Sequence, residues 1–218
     1  MKQNSIAGSA LIAAVLGFVL TMAFHPTGGD FAGGSEALAR ATHRAVGSHG
    51  LALVSIPAAL FGFLGLSRWL GLRRAPVSAA LILYAVSSAA LLCAALVSGF
   101  VAPDLIRERT AADPADRSAW HALLAYNFLL NQAFAKVGVA AFSGAMILWS
   151  ASLPRSGALA RTAQVLGIAI GTATLLVLGH GFVRLDVRGF GWIVLSEAAW
   201  ILPVAILLMR APDRETTG

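Results

Sequence analysis

Six apolar blocks, each near twenty residues long, divide the chain: residues 6–25, 49–70, 77–102, 133–153, 162–182 and 190–209. Twenty residues rising about 1.5 Å each make a helix of roughly 30 Å, the thickness of a bilayer's hydrocarbon core. Polar punctuation separates the blocks. His25-Pro26-Thr27-Gly28-Gly29 stops the first, Arg68, Arg73 and Arg74 close the second, Pro103 ends the third and Pro154 the fourth. The pattern predicts an all-α membrane protein, a single-domain bundle of six transmembrane helices without a soluble domain or linker.

The longest unbroken stretch is residues 118–153, which holds no proline and no charge cluster. As one helix it would reach about 50 Å. We therefore expect one long fourth helix, spanning over 133–153 and extending outward from 118. Its first half carries His121, Asn127, Asn131 and Gln132 among large apolar residues, and Lys136 sits just inside the span. At 100° per residue, Asn127 and Asn131 share one face, while His121, Gln132 and Lys136 share the next. Polar groups in apolar sequence need polar neighbours or water. The expectation is a polar pocket at one membrane face, with Trp120, Tyr126, Trp192 and Trp200 as its aromatic wall.

Smaller features refine the helices. Residues 35–46 are too short and polar to span, so they lie at the interface or extend the second helix outward. Ser87, Ser88 and Gly99 give the third helix a small-residue face. Gly167 and Gly171 form a G-x-x-x-G pair in the fifth. Both patterns suit close helix crossings. Gly28-Gly29 and Gly33-Gly34 follow no strand and precede no G-K-[ST], so they read as a connection over the site, not a phosphate loop. No internal repeat is visible.

Composition agrees with the pattern. Hydrophobic residues make up 58% of the chain and charged residues 12%, about half the charge of a soluble domain. The net charge of +6 would suggest nucleic acid in a soluble protein. Here the basic residues scatter over block ends and none forms a tract with aromatics, so nucleic acid is excluded as a partner. The expected partners are the lipid bilayer, a small-molecule or metal ligand, and a second copy or partner subunit. The single cysteine, Cys93, rules out a disulfide within the chain. Arginines far outnumber lysines, which suits a GC-rich bacterial genome and hence the bacterial inner membrane. Six spans put both termini on one side. Basic residues divide almost evenly between the faces, but the short loops around Arg68, Arg73 and Arg74 place the termini in the cytoplasm. The first block is longer than a leader's apolar core and is expected to remain as a helix.

Chemistry concentrates on the opposite face. Given six spans, His25, His43, His49, His121 and His180 all fall there, and Glu197 and Lys136 sit at similar depth inside it. Histidine is the commonest transition-metal ligand and carries protons near neutral pH. His25, His49 and His180 each stand at a helix end, so three imidazoles can converge on zinc, copper or iron, or two can flank a haem. No H-x-x-x-H or H-E-x-x-H spacing accompanies them. Lys136 and Glu197 are the acid and base inside apolar blocks, read as a catalytic or ion-paired couple. Asn127, Asn131, Gln132 and His121 are read as the groups that hold a cofactor. Three functions follow: a metal- or haem-binding protein acting as an oxidoreductase or metalloenzyme, a transporter or binding protein for a small polar or amphipathic molecule, or a non-catalytic accessory subunit.

Overall fold

A computed structural model describes residues 3–31, 33–181 and 185–212. The described residues contain helices and no strand. Helix α1 is Gln3–Phe24, followed by a 3₁₀ turn at Gly28–Phe31 and α2 at Gly34–Leu70. Helix α3 is Ala75–Leu96; it runs through a widened π turn, Val97–Val101, into α4, Ala102–Ala111. Helices α5, Arg117–Ser152, α6, Ala158–Gly179, and α7, Val187–Arg210, complete the chain. Six helices are long and apolar enough to cross a membrane, with α3, the π turn and α4 forming one of them.

The six form a ring. Helix α1 packs along α2, α2 along α3, α3 along α5, α5 along α6, α6 along α7, and α7 along α1. Short connections make neighbours antiparallel. One end of the ring therefore gathers the α1 C-terminus and the α5 N-terminus; we call it the histidine end. The other gathers the α2 and α5 C-termini and is here the arginine end.

Two expectations change. Three helices, not one, exceed the length of a simple span: α2 has 37 residues, the continuous α3–α4 unit 37, and α5 36. The short segment 35–46 is the first part of α2, which is the second of the two roles expected for it. Pro103 does not end the third helix. It lies in the first turn of α4, where the missing N–H breaks no helical bond of its own. The π turn absorbs the mismatch, with the Ala102 N–H reaching back to Val97 O. The expected end of the fifth block, at 182, lies outside the described residues.

Close packing follows the small residues. A Cβ at Gly167 would lie 1.9 Å from Ser150 Oγ and 2.4 Å from Trp200 Nε1, and one at Gly171 would lie 2.8 Å from Ser143 O. The G-x-x-x-G face of α6 thus lies against α5 with no room for a methyl group. At the centre, Phe63 stacks on Trp149 at 4.7 Å between ring centroids and on Trp200 at 5.9 Å. Tyr84 and Phe142 close the cluster from α3 and α5. Trp149 Nε1 donates to Ser67 Oγ at 3.0 Å, so the buried indole N–H is satisfied. This aromatic plug fills the middle of the ring, between the two ends.

Candidate functional site

The histidine end is built where α1 turns into α2. Thr21, buried on α1, shares its hydroxyl hydrogen between Gly17 O at 2.8 Å and Ser48 O at 3.2 Å. That ties the last turn of α1 to α2 one residue before His49. Beyond α1, Asp30 Oδ2 accepts from Thr27 N at 2.6 Å and Thr27 Oγ1 at 2.9 Å, closing the turn. Arg44 on α2 reaches Asp30 Oδ1 at 3.4 Å. The glycine connection is therefore a pinned turn. These bonds hold the Asp30 carboxyl below its ordinary range, with the Thr27 N–H bond contributing most.

Under that turn His25 meets His49, ring centroids 4.7 Å apart and edge to face. His25 Nδ1 lies 2.8 Å from Pro26 O, and His49 Nδ1 lies 2.8 Å from Ala45 O. A carbonyl oxygen only accepts, so each Nδ1 carries a hydrogen and donates it. In the neutral imidazoles the lone pair then sits on Nε2, the arrangement that backbone carbonyls impose on metal-ligating histidines. Burial holds His25 below its usual range; Arg44 pushes the same way, and the bond to Pro26 O partly opposes them.

The third wall is the π turn. Gly99 presses on His49 so closely that a Cβ would lie 2.2 Å from His49 Cβ and 2.4 Å from its Cγ. Asn127 from α5 is buried beside it, Nδ2 3.5 Å from Val97 O. Because Ala102 N–H already takes Val97 O, Asn127 adds a second, longer donor. Four elements (the α1 end, α2, the π turn and α5) therefore fix the imidazole pair.

The other anticipated residues do not gather there. His180 caps α6, which packs on α5 and α7, across the ring from α2. Among the described residues no group of three or more His, Cys, Asp or Glu side chains is close enough to hold a metal, and of the three expected ligands only His25 and His49 are in contact. Lys136 is exposed on α5 and makes no ion pair with Glu197 among the described residues. Glu197 is partly buried on α7, near enough to Tyr84 for an electrostatic interaction. Gln132 donates to Leu185 O at 2.9 Å, which fixes the approach to α7. Asn131 is half-buried. His121 is exposed and lines an open recess with Arg109, Thr110, Arg117 and Ser118, away from the pair.

The aromatic wall is not formed either. Trp200 is fully buried in the central plug, whereas Trp192 and Tyr126 are 74% and 65% exposed. Nor do His25 and His49 flank a haem as placed: their rings touch, and a porphyrin needs its own thickness between two axial ligands. Sequence reading missed Thr21, Ser48 and the π turn. One signal was available: Pro103 cannot donate the helical bond to Gly99 O, which marks that turn as a place for a bulge.

No family model matches this sequence, and neither curated proteins nor solved structures yield a match.

Proposed function

We propose that this chain is a multi-pass bacterial inner-membrane protein that binds a transition-metal ion at its histidine end through Nε2 of His25 and His49. The observation that carries the reading is that both Nδ1 atoms lie 2.8 Å from backbone carbonyls while the rings touch, which leaves Nε2 of each ring for a ligand. Imidazole nitrogen suits copper and zinc. Two protein donors leave coordination positions open, unlike a closed four-ligand structural site, so an outside ligand can complete the sphere. That favours a site for metal exchange or for binding a small ligand on the metal.

The arginine end suits the cytoplasm, because Arg68, Arg73 and Arg74 abut helix ends in a short connection. The histidine end then faces the periplasm. Equilibrium binding of copper and zinc to the purified chain tests the site. His25→Ala and His49→Ala should each weaken binding at least about tenfold, and His180→Ala should not; equal affinity in all four proteins refutes the assignment.

A second reading, the accessory subunit, has one observation in its favour. Leu123, Tyr126, Phe128 and Leu129 lie exposed on the outer half of α5, at 48%, 65%, 54% and 65%. Apolar surface of that kind suits a partner subunit or a second copy. It is tested by whether the chain, extracted in mild detergent, runs as one species or carries a stoichiometric companion.

A further inference from the structure

The arginine end contains an open recess of about 330 Å³, lined by Trp69, Leu70, Arg74, Ser152, Pro154 and Arg155 among others. We propose that it binds a phosphate-bearing anion, whose sources are an anionic phospholipid headgroup or free phosphate. Arg74 is fixed there by its own fold role: Nη1 donates to Leu70 O at 3.4 Å and Ser152 O at 3.3 Å, the last carbonyls of α2 and α5. The contact cancels the negative ends of two helices and holds the guanidinium at the rim. Its other N–H groups make no further hydrogen bond among the described residues, and a guanidinium carries five donors in all. Arg155, across the recess, has no ion pair among the described residues.

Among the described residues, the charge at this end has one sign. Arg68, Arg73, Arg74, Arg155, Arg161 and Arg210 all belong to this end, and among the described residues it holds no Asp or Glu. The histidine end carries Asp30, Glu36, Asp104, Glu108, Asp113 and Asp116, which offset its own arginines. Among the described residues, an anion therefore meets arginines without a neighbouring carboxylate at one end only. Two arginine forks match the oxygens of a phosphate, and basic pockets between helix ends suit lipid headgroups. Trp69 is half-buried in the same recess, where an indole can sit at headgroup depth with its N–H facing the polar layer.

The test uses the purified full chain in detergent, titrated with phosphatidylglycerol, with phosphatidylcholine, and with inorganic phosphate alone. Bound lipid is read by native mass spectrometry and phosphate by equilibrium dialysis. Phosphatidylglycerol should be retained over phosphatidylcholine. Arg155→Gln, which removes no hydrogen bond or ion pair among the described residues, should weaken retention about fivefold, the worth of one arginine at an anionic surface. Arg117→Gln, at the other end, should leave it unchanged. Phosphate binding that Arg155→Gln abolishes assigns the site to the free anion; lipid binding without it assigns the site to the headgroup. A wild-type chain that prefers neither anion, or Arg155→Gln and Arg74→Gln proteins that bind as wild type does, overturns the proposal.

Discussion

Replacing Gly99 with alanine tests how tightly the π turn holds His49. Helix propensity alone favours the change, since a glycine within a helix costs roughly 0.5–1 kcal/mol against alanine. The structure reverses the sign. The new methyl carbon would stand 2.2 Å from His49 Cβ, 2.4 Å from Cγ and 2.9 Å from Nδ1. Cβ is bonded directly to the α2 backbone and cannot swing away, so either α2 or the π turn must move. Overpacking of this kind costs about 1–3 kcal/mol, leaving a net loss of up to about 2.5 kcal/mol after the propensity gain. For a chain of this size that lowers Tm by up to about 10 °C. Gly50, next to His49, is the control, because nothing lies within 4 Å of a Cβ built there. Gly50→Ala should raise Tm by up to about 4 °C. Both variants would be unfolded thermally in the same mild detergent, with copper and zinc affinity measured beside Tm. Gly99→Ala should also lose metal affinity, and Gly50→Ala should keep it. A Gly99→Ala protein at least as stable as wild type with unchanged affinity would show that the π turn does not brace the imidazole.

Ser67→Ala should lower stability by about 1–3 kcal/mol, because it leaves the Trp149 N–H buried without an acceptor, and unchanged thermal unfolding would contradict that bond. Lys136→Gln should fall within about 0.5 kcal/mol of wild type, whereas a buried ion pair with Glu197 would cost about 3–5 kcal/mol on losing one partner. The turn over His25 should loosen in acid. Its folded-state pKa lies below the ordinary 6.5, so the unfolded chain takes the proton first. The stabilisation is complete above 6.5 and is lost as pH falls below it. Hydrogen exchange at Gly28–Phe31 should rise between neutral pH and pH 5.5, after correction for intrinsic rates, and a flat profile would remove His25 from the turn's stability.

What the sequence discloses here is mostly one-dimensional. Block length, Pro154 and the arginines at 68, 73 and 74 mark where helices stop, and G-x-x-x-G at Gly167 and Gly171 correctly announces a close crossing. The ring order is not written in any block, and it decides the site. Helix α7 stands between α1 and α6, so His180 cannot join His25 merely by lying at the same level. Lys136 falls on the outer side of α5, a matter of rotation about an axis that a polar sector half the helix wide leaves open. A proline usually stops a helix; before Pro103 the π turn takes up one extra residue and lets the helix continue. His25 and His49 were recoverable because they bound the first two apolar blocks, which pack side by side as α1 and α2, although α2 begins at Gly34, well before His49.

The pair itself is best tested by X-ray absorption on the purified chain loaded with one equivalent of copper or zinc. The expected spectrum shows two imidazole nitrogens at about 2.0 Å, with any remaining ligands supplied by solvent, and one imidazole lost in either His25→Ala or His49→Ala. A spectrum with no imidazole scattering, or one that both variants leave unchanged, would contradict the two-histidine centre.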